Sequence, residues 1–261
     1  VNATATHQTT TAVANVAGGS FAGVAATVSM NIIGGETTAT VTDSVLNGGD
    51  NSTASNAQAV SIKAADHAYG NTFIGSIAVG LAGVGASADV NVFDRDTRAG
   101  VSGSTSSVTA KGAATVKARS SQGVSSIVVG AAGGAVAVVG SGSVAKFTST
   151  TEAYSDDAVW RVGALDIRAD HDSVFLVAGG GLAAGGVAGS GTFAVGLDTS
   201  TTEARVDGGG VDADGQVNVM ADSSTEMRTW AIGGAGGGAA GIAGAVAVGI
   251  IDSTTSAKVV D

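Results

Sequence analysis

Three groups of residues in this sequence have side chains that could do chemistry: histidines, clusters of aspartates and long glycine-rich runs. His7, His67 and His171 each follow a short Val/Ile-x-Ala motif by two to four residues. Such shared placement predicts a recurrent turn position rather than three parts of one zinc or catalytic centre. Aspartates gather at Asp94-Arg95-Asp96, Asp156-Asp157 and Asp212-Ala213-Asp214-Gly215. Calcium needs six or more converging oxygens, and Asp212 with Asp214 is the nearest approach to such a set. Their run opens like a calcium-binding loop but lacks the closing glutamate and the flanking helices. Solvated turn carboxylates, and no metal site, are therefore expected. The run Val177–Gly186 (VAGGGLAAGG) echoes a dinucleotide fingerprint, but no helix follows to carry a phosphate site. No nucleophile elbow is present either. The expectation is no catalytic residue and no cofactor site.

Composition sets what must hold these residues. The chain has 261 residues, with 42 glycines, no proline, no cysteine and 4% aromatics. Disulfides and thiolate metal sites are thus excluded, and the interior must be thin, built mainly from Gly, Ala and Val. Net charge is −10 and just 12 Lys and Arg are scattered along the chain. A surface that tracks phosphates needs clustered cations, so nucleic acid is not an expected partner.

One pattern recurs five times: Val24–Val41, Val84–Val101, Val136–Ser155, Val187–Val206 and Ile242–Val259. Each starts as small-residue alternation and ends in Thr-x-Ala-like polar alternation. A second motif lies between the copies, at Val1-Asn2-Ala3, Ile62-Lys63-Ala64, Val116-Lys117-Ala118, Ile167-Arg168-Ala169 and Val219-Met220-Ala221. Its alanines recur after 61, 54, 51 and 52 residues, and those of the longer pattern (Ala39, Ala99, Ala153, Ala204, Ala257) after 60, 54, 51 and 53. Two markers keep one period. Within the copies apolar residues alternate with period two, which means strand. Short closers such as Leu165–Ala169 are expected beside Asp/Gly-rich turns such as Asp207–Gly215.

The predicted fold is all-β: a repeat-built parallel β-solenoid (β-helix) of about five units of ~52 residues with a Gly/Ala/Val core. The units run approximately 1–61, 62–115, 116–166, 167–218 and 219–261 in a single array. Each is either two coils or one broad, flat coil. The first carries a loop-like insertion over Asn47–Ala57. Repeats reach both ends, so an excerpt of a longer chain is expected, with edge strands that invite end-to-end or lateral self-association.

Segments such as Val195–Ala204 (VGLDTSTTEA) and Gly249–Ala257 (GIIDSTTSA), preceded by Gly/Ala-rich alternation, resemble the repeat regions of filamentous-haemagglutinin-like and leukotoxin-like bacterial surface adhesins. That resemblance implies a secreted β-helical shaft held at the cell surface, carrying adhesive ends. The leading expectation is accordingly a non-enzymatic structural or adhesive shaft segment of a secreted adhesin or extracellular filament, with an unassigned host or surface ligand. The alternative is a polysaccharide-acting β-helix enzyme, whose paired carboxylates would lie on adjacent coils. Two minor alternatives remain. Trp230–Ile251 is long and uncharged enough to suggest a membrane-inserting Gly/Ala-rich pore former, but its counterparts carry Asp89, Asp94 and Lys146, so no membrane insertion is expected. Threonines at 37, 38, 40, 150, 151, 199, 201, 202, 254 and 255 suggest an ice-binding face, interrupted by Arg98, Glu152 and Glu203.

Overall fold

The computed structural model describes residues 1–48 and 57–260; the Asn47–Ala57 insertion falls largely outside them. Period-two alternation and β-branched residues give strands throughout, and no helix occurs among the described residues. The strands are β1 (Asn2–Gly18), β2 (Ala22–Thr42), β3 (Val45–Leu46), β4 (Val60–Val79), β5 (Ala82–Ser102), β6 (Ser107–Asp156), β7 (Val159–Asp207), β8 (Gly210–Ala213) and β9 (Val217–Val260). All nine belong to one sheet and every pairing is parallel.

The pairing register links the alanines that recur in sequence. Ala3, Ala64, Ala118, Ala169 and Ala221 form one ladder. Ala39, Ala99, Ala153, Ala204 and Ala257 form another. β6 pairs in succession with β3, β4 and β5, so its 50 residues bend along the path those three strands set. The chain therefore returns beside itself after one circuit, and the sheet nearly closes on itself in a manner consistent with a β-solenoid. The first four circuits each have two long sides and one short side, and β9 adds two long sides alone. The Val/Ile-x-Ala motif opens a long side; it is not the short closer that its length suggested.

The two long sides converge from a thick base to a thin tip, because the inward side chains shrink in that direction. At the base the short side adds a third wall, and Trp160, Leu165, Ile62, Ile167 and Val101 fill the corner. Further on Phe93, Phe147 and Phe175 stack, with ring centroids 4.6 and 3.9 Å apart. Near the tip the interior is Ala25, Ala78, Ala132, Ala137 and Ala183 with Val139. A Cβ on Gly83 would stand 2.6 Å from the Gly133 carbonyl oxygen, and one on Gly85 3.0 Å from that of Ala131. Glycine here sets how closely the two sides approach. The base corner repeats a different requirement. Asp43, Gly103, Asp157 and Gly208, each one residue beyond a long side, all adopt positive φ. Residues that tolerate the left-handed region turn the chain there.

Candidate functional site

The interior is banded. Between the base cluster and the phenylalanine stack lies a buried polar band. Arg95 donates to both oxygens of Asp66, Nε at 2.9 Å, and Nη1 reaches the Gly34 carbonyl at 3.0 Å. In the next circuits the same band holds Gln122, whose Nε2 donates to Ser149 Oγ at 2.8 Å, and His171, whose Nδ1 lies 3.5 Å from that hydroxyl. Asp198 accepts from Thr225 at 2.9 Å. Beyond the phenylalanines a second polar band links Asn31, Thr72 and Asn91. Asp89 accepts from Asn91 and Ser126, and Ser126 shares a hydrogen bond of 2.6 Å with Ser143. Asp66, Asp89, Arg95 and Asn91 are all essentially inaccessible to solvent, so these groups face one another and no substrate.

The histidines do not share a turn position, contrary to the sequence expectation. All three sit in strands and on three different ladder rows: His7 pairs with Ala68, His67 with Ser121, and His171 with Ser120 and thereby Asp66. His171 alone is buried. Burial lowers its pKa from the usual value against the opposing pull of Asp198 and Asp172. Burial likewise raises the Asp198 carboxyl, though hydrogen bonds from Thr225 and Ser200 and the nearby His171 oppose it. The Asp94-Arg95-Asp96 group is also no turn. It lies within β5, where period two sends Arg95 inward and both carboxylates outward. Asp212 and Asp214 line a shallow groove with Lys111 and Arg161, a charge-balanced rim and not an oxygen cage. Among the described residues no group of three or more possible metal ligands occurs. Thr37, Thr97, Thr151 and Thr202 form an inward ladder, so this half of the threonine repeat cannot meet an ice surface.

One charged cluster that sequence reading missed assembles on the outside of the base half. Lys117, Arg119, Arg168, Asp170, Asp172 and Asp222 come from three circuits and line one groove. Lys117 Nζ lies 2.7 Å and Arg168 Nε 2.5 Å from Asp170; Arg119 pairs with Asp172 at 3.6 Å. Burial works to raise the Asp170 pKa, but hydrogen bonds from Lys117 and Arg168 hold it below the usual carboxylate range. An ionised, doubly paired carboxylate cannot act as the general acid of glycoside cleavage. The signal was present as recurring Lys and Arg at the middle position of the short motif, but its meaning depends on stacking.

The tip half differs. On both outer sides its side chains are apolar or absent, among them Phe73, Ile77, Leu182 and Trp230 on one side and Val28 and Phe193 on the other. The arms of Trp230–Ile251 are not an antiparallel hairpin, since both pair in parallel with β7. Searches against known protein families, curated proteins and solved structures find no match to this chain.

Proposed function

We propose that this chain is a non-enzymatic structural and adhesive segment of a secreted bacterial surface adhesin or extracellular filament, a repeat-built parallel β-solenoid in which each unit of ~52 residues makes one broad coil. The observation that carries this reading is the parallel ladder from β1 and β2 through to β9, whose register shifts only at Ala110/Ala113 and Gly185/Val187 among the described residues. The paired interior carboxylates and the neutralised surface groove support it against the polysaccharide-cleaving alternative. Geometry refines the shaft expectation. Adjacent strands stand about 4.8 Å apart, so five circuits extend only ~20 Å along the axis, whereas one 20-residue side runs roughly 65 Å at ~3.3 Å per residue. A single chain is a broad plate, and length comes from stacking plates end to end.

Electron microscopy of the purified chain in detergent-free buffer tests this. The reading predicts plates that lengthen with concentration into ribbons of constant width, roughly 65 Å. Compact particles at every concentration, or hydrolysis of polysaccharide that Asp170→Asn abolishes, would overturn it.

A further inference from the structure

We infer that the thin edge of the plate inserts into the hydrocarbon of a lipid bilayer, with the charged base half left in water. The inference deepens the adhesive reading by naming the surface that is held, and it rests on that reading for its setting. Three observations carry it. First, between residues 73 and 91, and in the segments paired with them (12–31, 127–145, 178–196 and 230–249), Asp89 is the sole charged residue. Asp89 points inward at 1% exposure and is held by Asn91 and Ser126. The charges that argued against a membrane from sequence are therefore either inside the plate or, for Asp94 and Lys146, at the limit of the uncharged zone.

Second, the zone ends at one depth on both sides. Arg228 occupies the ladder row of Asn71 on one side, and Lys146 the row of Val92 on the other. The Thr72–Asn91 hydrogen bond across the interior, 3.2 Å, places those rows level. A flat protein partner would cover one side and leave the other wet. An occupant that meets both sides and the tip to the same depth is a lipid phase.

Third, the depth and the backbone both suit hydrocarbon. The eight residues from Phe73 to Gly80 reach roughly 26 Å, and the nine from Ala82 to Val90 roughly 30 Å, at ~3.3 Å per residue, against a hydrocarbon core of ~30 Å. The parallel ladder satisfies the backbone through this zone, as a lipid environment demands. Most polar groups inside it bond one another or a backbone carbonyl; Asp89 Oδ1 and Thr192 Oγ1 are buried without a partner. Hydrocarbon also forbids open sheet edges, so the β9 edge of one copy must meet the β1–β2 edge of the next, and inserted copies form rows.

Flotation with phosphatidylcholine vesicles, read together with Trp230 fluorescence, tests the inference. Trp230 is 58% exposed whereas Trp160 is fully buried, so a vesicle-dependent blue shift reports the tip half, and Trp230→Phe must abolish it. The expected result is co-flotation, a blue shift and loss of acrylamide access to Trp230. Leu182→Arg, an exposed position on the lipid side, should lower partitioning about thirtyfold or more, while Thr201→Glu in the base half leaves it unchanged. Failure to float, or flotation unaffected by Leu182→Arg, overturns the inference. A blue shift and acrylamide protection of Trp230 as large without vesicles as with them, at the same protein concentration, would overturn it in favour of a second copy. Ribbons in buffer without flotation would leave the adhesin reading standing and remove this one, whereas particles that stay compact in buffer at every concentration yet float and form rows on vesicles would do the reverse.

Discussion

At the scale of single residues, the interior charges specify alignment more than they add stability. Gly, Ala and Val alternate so uniformly that shifting one circuit by two positions would keep the same pattern of faces. Asp66 opposite Arg95 breaks that degeneracy, because a slipped register separates two buried charges. Removing one partner leaves the other buried and unpaired. Asp66→Ala is therefore predicted to cost about 3–5 kcal/mol in urea denaturation, while replacing both residues by Leu and Met stays within about 1–2 kcal/mol of the parent. A second prediction concerns His171. Burial holds its folded pKa below the unfolded value of 6.5, so the folded chain binds fewer protons than the unfolded chain there. Stability is full above pH 6.5 and falls as the pH drops through that value towards the folded pKa. The raised Asp198 has the opposite sign, its contribution being lost as pH rises from 3.8 through its folded pKa. Urea midpoints at pH 8 and pH 5.5 should differ in the parent, with a slope of at most about 1.4 kcal/mol per pH unit, and differ less in His171→Gln.

At the scale of elements, strand identity and ladder partners were legible because two alanine markers keep one spacing, and each marked alanine pairs with the next. The left-handed corner was not legible. Asp43, Gly103, Asp157 and Gly208 differ in type, and only their common place after a long side reveals one backbone need. The interior bands were hidden for a related reason: period two gives the face of a residue but not which face is inside. That is why Asp94-Arg95-Asp96 read as a turn. The taper makes its own prediction. Gly85 stands where a Cβ already approaches the Ala131 carbonyl, so Gly85→Val should destabilise by about 1–3 kcal/mol through overpacking. Gly140 lies in the neighbouring circuit with open space at its Cβ, and Gly140→Ala should change stability little.

At the scale of the whole molecule, the wide coil explains why a shaft-like sequence gives a plate. It also gives the chain two unlike halves, a charged thick base and an uncharged thin tip, whose separation was already present in the sequence as five charge-poor segments. What the sequence lacked was their common depth, which follows from the register on each side and the Thr72–Asn91 hydrogen bond across the interior. The central claim is thus that each strand lies beside the strand one period away. The absence of cysteine makes this directly measurable in double variants at outward positions. Thr150 and Thr201 are ladder partners, so their Cα atoms stand near the ~4.8 Å interstrand spacing, within disulfide range. Thr254 is the partner of Thr201, which puts it about twice that distance from Thr150. On mild oxidation the Thr150→Cys/Thr201→Cys chain should close an intramolecular disulfide, and Thr150→Cys/Thr254→Cys should stay reduced. Closure of the second pair, or no closure of the first in a folded chain, would contradict the stacking on which the plate, the ribbon and the lipid edge all depend.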